Sequence, residues 1–221
     1  LGSVSAPAAE HQSRYAAPTG LTHAAAMIRY TLDTNCLIDL ERGSGFAASI
    51  RSLVDAHGAG IAEVAIPAVA ASERQRGGQY LDQFDRFMER LHTAGLDHLP
   101  LIEPIAIFGV GFYGKGYFAD EAMVELENKI HAVLHPTVER SLSAYRSANG
   151  YPLDDPTMPP KWRNALCDVQ IAWSHIYHQR DCLVTSDGNF FKATKHAALL
   201  ALGARSVMRP AESVALLGGA A

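Results

Sequence analysis

Twice in this chain a short apolar run breaks off into a turn that carries an aspartate, and that pattern limits the folds open to it. In the first case Ile28, Tyr30 and Leu32 form an apolar and aromatic run of the kind that makes a buried strand. Asp33, Thr34 and Asn35 follow, and Cys36, Leu37, Ile38 and Leu40 then recur at helical spacing. In the second, Cys182 to Thr185 (CLVT) runs into Ser186, Asp187, Gly188 and Asn189. Open parallel sheets bind ligands at the carboxyl ends of their strands. Asp33 is therefore either a helix N-cap or the first carboxylate of a site. Two strands that both finish in aspartate can aim both carboxylates into one crevice. Buried like charges are costly unless a cation or a proton joins them, so the pattern points to a divalent metal.

Between these stretches strand and helix signals alternate. Phe46 to His57 reads as a helix closed by Gly58 and Gly60, and Ala62 to Ile66 as a strand. Pro67 opens a short Ala-rich helix carrying Ser72 and Glu73, broken by Gly77 and Gly78. Tyr80 to His92 is amphipathic. Leu99 to Ile102 and Ile105 to Phe108 read as extended pieces around Pro104. Helices are expected over Asp120 to Leu134, Thr137 to Ala148 and Trp162 to Gln179, with turn chemistry at 149–160. On the last of these, Asn164, Asp168, Ala172 and His175 share a face. A helix over Phe190 to Leu202, a strand over Arg205 to Met208 and a short helix from Pro210 close the chain. The alternation predicts an α/β fold with a mainly parallel central sheet.

With 221 residues, 48% of them hydrophobic, the chain can bury a full core, and a single domain is the default. Residues 1–26, rich in Ala, Pro, Ser and His and without periodicity, are expected to be a disordered leader or tag, with no signal-peptide pattern. No apolar run reaches the length of a membrane span. The net charge of −4 means that any contact with RNA falls to a local patch. Cys36, Cys167 and Cys182 are too scattered for a disulfide framework or a zinc site and read as core fillers in a reducing cytoplasm.

The candidate carboxylates are Asp33 and Asp187, which follow strands, and Glu73 and Asp168, placed on helices beside them. In this order, Asp33-Thr34-Asn35, Ser72-Glu73, Asp168 and Thr185-Ser186-Asp187-Gly188-Asn189-Phe190 resemble the PIN-domain nucleases. The toxin ribonucleases of toxin–antitoxin pairs are the nearest type. The resemblance runs from Met27 to about Leu217. It implies a three-layer α/β/α domain over 27–221, with a long insertion at about 99–162. It also implies Mg²⁺- or Mn²⁺-dependent hydrolysis of RNA, leaving a 5′-phosphate and a 3′-hydroxyl. Asp33, Glu73, Asp168 and Asp187 would form the acidic metal cluster; Asn35, Ser186 and, less directly, Asn189 would orient ligands or phosphate. An antitoxin protein and a homodimer are the further partners implied.

Rival readings stay open. A haloacid-dehalogenase-like phosphatase also begins with Asp after a first strand, but it needs a second Asp where Asn35 stands. A catalytically weak PIN-like scaffold that binds RNA or protein is the non-enzymatic alternative. Gly109 to Gly114 matches GxGxxG, yet no helix opens at its last glycine, so a connector is the plainer reading than a dinucleotide loop. A third reading has Tyr113, Tyr117 and Phe118 stacking bases while Lys115 meets phosphate. His131 and His135 have a zinc-compatible spacing but lack the HExxH pattern, and are expected to be a solvated or half-buried pair.

Overall fold

Five strands run parallel through the centre of the described residues: β1 Ile28–Leu32, β2 Ala62–Pro67, β3 Leu101–Ile102, β4 Cys182–Val184 and β5 Val207–Met208. Their spatial order is β3-β2-β1-β4-β5. The structure, a computed structural model, describes residues 27–75 and 77–220, with side chains to 218; the leader expected at 1–26 lies outside them. In register, Tyr30 stands between Val64 of β2 and Cys182 of β4, so β1 is the middle strand.

A sheet covered on both faces is built from near-continuous apolar runs. Tyr30 and Leu32 pack on one face against helices α1 (Thr34–Arg42), α2 (Ala47–Gly58) and α3 (Phe84–Thr93), in a core with Ile50, Leu53, Phe87 and Leu91. On the other face Leu183 joins Ile130, Leu134, Val169 and Trp173, from α4 (Glu121–Leu134) and α6 (Pro160–Tyr177). Helices α5 (Leu142–Asn149) and α7 (Ala193–Ala201) complete that layer, and α8 (Pro210–Ser213) returns to the first. Thr31 points opposite to its neighbours on β1, and its hydroxyl lies 3.0 Å from Nδ1 of His175 on α6. The architecture is the expected three-layer α/β/α sandwich.

Several boundaries differ from expectation for local reasons. The Ala-rich segment after Pro67 is a 3₁₀ turn, Ala68–Ser72, and Glu73 leaves it in an extended conformation instead of sitting on a helix. Helix α3 starts at Phe84, not Tyr80, because the Tyr80 ring lies under the Arg163 guanidinium, 4.0 Å from its centre. Helix α5 starts at Leu142, capped by the Ser141 hydroxyl, while Arg140 turns back to Glu127. Ile105–Phe108 forms no strand; Ile105 makes a single bridge to Tyr117. Residues 99–162 thus supply an edge strand, β3, and helix α4, which packs on α6 and α7. The three cysteines are free and buried. No described helix is long and apolar enough to cross a membrane.

Candidate functional site

After β1 the chain moves to β2 and β3 on one side, and it later returns to β4 and β5 on the other. The carboxyl ends of β1 and β4 therefore flank the point where strand order reverses, the usual crevice of such sheets. The Asp33 N–H donates to the Val184 carbonyl at 3.0 Å, extending the ladder one residue and setting Asp33 beside Thr185. Asp33 occupies the N-cap position of α1 but makes no side-chain cap bond. Its Oδ2 instead accepts from the Thr185 hydroxyl at 2.5 Å and from Asn35 Nδ2 at 3.1 Å. Asp33 is only 2% exposed, and its carboxylate is turned to Thr185 and Asn35 rather than to the helix.

Above it opens a cleft of about 470 Å³, whose lining includes Asn35, Glu73, Arg74, Asn164, Asp168 and Asp187. Four separate segments supply the acids: the end of β1, the residue after the 3₁₀ turn, the first half of α6 and the turn after β4. Their charges reach one another. Burial pushes the Asp33 carboxyl up, and Asp187 adds to that while Thr185 and Asn35 oppose it. Glu73 is raised well above the usual range by burial, then by Asp33 and Asp168, with Thr34 opposing. Asp168 is raised by burial, Asp33 and Asp187, with Lys195 opposing. Such a cluster gains most from a cation.

Asp33, Asp168 and Asp187 are held by donors of the chain. His135 Nε2 lies 2.9 Å from Asp168 Oδ2. Burial, then Lys195, depresses the imidazole to about 4, so the ring beside Asp168 is uncharged at neutral pH. Asp187 Oδ1 accepts the Asn189 N–H at 2.8 Å, and the Asn189 side-chain oxygen accepts from Lys195 at 2.7 Å. The Ser186 hydroxyl, expected to orient ligands, is directed to Asp39 on α1 at 2.8 Å. Asn35 does face the cleft while donating to Asp33.

Asp39, Thr185, His135, Lys195, Arg74 and Asn164 were not assigned roles by sequence reasoning. Thr185 carried a usable signal, since it stands two residues before Asp187 and its hydroxyl also accepts the Asp187 N–H at 3.0 Å. His135 and Lys195 carried none: both reach the acids only because α4 and α7 pack beside α6 and β4. The His131 and His135 rings are 6.5 Å apart, and His135 is turned to Asp168. Among the described residues no group of three or more His, Cys, Asp or Glu side chains is arranged so that it could hold a metal ion. No protein-family profile matches the sequence, and no curated protein matches it.

Proposed function

We propose that this chain is a metal-dependent ribonuclease of the PIN-domain type, hydrolysing RNA phosphodiester bonds. One observation carries the reading: Glu73, Asp168 and Asp187, from three separate segments, line one open cleft, and the buried Asp33 adds its charge to theirs. The donors suit a hard ion. Mg²⁺ takes oxygen, needs only one or two direct carboxylates, and keeps waters that substrate phosphate can replace. Glu73, Asp168 and Asp187 line the cleft and would hold Mg²⁺ or Mn²⁺, with Asp33 adding charge from beneath. Bound there, such an ion supplies an activated water and stabilises the leaving oxygen.

The protein's own contribution is orientation. Thr185 and Asn35 fix Asp33, His135 fixes Asp168, and the Asn189 N–H fixes Asp187. Ligating carboxylates held in this way need little rearrangement when loaded. Lys195 offsets part of the negative charge; burial and then Lys192 lower its pKa, with Asp168 and Asp187 opposing. Arg74 and Asn164 line the cleft and offer donors to a phosphate. Of the implied partners, the cleft supports RNA; the antitoxin protein, the toxin role and the homodimer rest on the resemblance. The scaffold reading draws on one fact, that Asp33 and Asp168 already have donors within the chain.

Incubation of the purified protein with labelled single-stranded RNA, with and without Mn²⁺, separates the two. The wild type is expected to cut only with metal. Asp33→Asn and Asp187→Asn, each keeping shape and hydrogen bonding, should lower the rate by about a hundredfold or more, since even outer partners of a metal cost 10–100-fold. Equal metal-dependent cutting by a folded Asp33→Asn protein would sink this site as the metal centre, and no cutting by the wild type with Mn²⁺ would sink the nuclease reading.

A further inference from the structure

The Glu73 wall of the cleft continues into a surface that hydrolysis does not use. Ser72, buried beside Glu73, donates its hydroxyl to the Val110 carbonyl at 2.7 Å, which ties the Gly-rich loop to the cleft wall. Arg163 donates Nε to the Ser72 carbonyl at 2.7 Å and lies over the Tyr80 ring. The Tyr80 hydroxyl reaches Asn164, on the cleft lining, at 3.4 Å. Further out, Phe112 meets Phe84 edge-on at 5.5 Å, and the Lys115 ammonium stands 4.7 Å from the Phe84 centroid. Between Phe112 and Lys115, Tyr113 is 103% exposed; Phe108, earlier in the same loop, is 105% exposed. Gly109 and Gly114 take left-handed φ values of 77° and 70°, the turns between which Tyr113 is held out.

A water-facing surface has little reason to display whole aromatic rings, yet Phe118, 96% exposed, stands out of the same loop as Phe108 and Tyr113. The chain as a whole is negative at −4, yet three cations sit on this wall: Arg74 on the cleft lining, Arg163 at the Ser72 carbonyl and Lys115 over Phe84. A partner with a repeating negative charge and flat apolar faces complements both features, and single-stranded RNA has both. We propose that this wall is a track for the single-stranded RNA flanking the cleaved bond, with Phe108 and Tyr113 stacking on bases and Arg74, Arg163 and Lys115 meeting phosphates. The proposal rests on the ribonuclease reading of the cleft. Of the aromatic side chains expected to stack, Tyr117 is not part of it: its ring packs on Tyr177 and His178, at 5.8 Å and 6.0 Å.

Binding can be read apart from cleavage. In EDTA, the full chain is titrated against a fluorescein-labelled oligouridylate of about 12 nucleotides, within the usual span of such sites, and anisotropy is followed. Phe108→Ala/Tyr113→Ala should weaken binding about tenfold or more, because each stacked base is worth about 1–3 kcal/mol. Tyr113→Trp should keep or tighten it. Lys115→Ala should lower the slope of log K against log salt by about one contact. Thermal melts establish that each variant is folded, and exposed positions give no reason for loss. Unchanged affinity in the folded double alanine variant would overturn the track and leave the surface to a protein partner. Absence of wild-type binding in EDTA would overturn it too. A wild type that binds through these residues yet never cuts with Mn²⁺ would keep the track and remove the nuclease; cutting with normal binding by the double variant would do the reverse.

Discussion

At the junction of β1 and α6 lies a histidine with no exposed surface. His175 shares one ring nitrogen with the Thr31 hydroxyl, and its buried Nε2 has no hydrogen-bond partner among the described residues. Burial, then Arg180, pulls its pKa from 6.5 down to about 3. A depressed folded-state value means that the unfolded chain binds the proton more readily. The stability from keeping this ring neutral is thus fully present above about pH 6.5 and is lost as pH falls toward 3. The raised cleft carboxyls and His135, depressed to about 4, titrate in both proteins, so the test is the difference between them. His175→Gln should have the lower urea midpoint at pH 7, and the wild type should fall toward it between pH 7 and pH 4.5. Parallel curves for the two proteins would refute this account.

Helix α6 connects the core to the cleft. It is buried along most of its length because the sheet covers one side and α4 the other. Trp173, wholly buried, donates its indole N–H to the Met123 carbonyl at 3.1 Å and stacks on Tyr177 at 4.4 Å. Trp173→Ala should cost about 3–5 kcal/mol in urea unfolding, whereas Trp173→Phe should cost about 1–2 kcal/mol for the lost hydrogen bond and partial void. A loss below 1 kcal/mol for the alanine variant would mean that α4 and α6 are not joined through this residue. The extent of α6 was legible in its apolar spacing, and Pro160 at its start fits the rule that proline suits a first helical turn. The starts of α3, α5 and α7 were not. Tyr80, Arg140 and Phe190 have helical neighbours in sequence, but each is held by a distant group: Arg163, Glu127 and the core under α7.

Across the whole molecule the acids at the cleft oppose folding when no cation is present. Asp33, Glu73 and Asp168 all have raised folded-state values, so their contribution is fully present only below the ordinary carboxylate range and is lost as pH rises through the raised values. At neutral pH, Asp168→Asn should therefore melt higher than the wild type in EDTA, since Asn can still accept from His135. Adding Mn²⁺ should raise the wild-type melting temperature, by the equivalent of about 2.7 kcal/mol at a hundred times Kd, and should raise that of Asp168→Asn much less. Equal shifts in both proteins would place the ion elsewhere. The sequence by itself determined the alternation of strands and helices and the two aspartate turns. It also determined the apolar runs of β1 and β4, because turn chemistry, helix spacing and strand composition act over a few residues. Only the tertiary structure decided that β1 lies between β2 and β4, and so that Glu73 and Asp168, far apart in the chain, share one cleft. It also decided that Asp33 is held by Thr185 instead of capping α1, and that His135 and Lys195 stand at the inner wall. Those outcomes depend on which strands close on each other and on helices covering both faces of the sheet, and no short stretch of sequence carries that information.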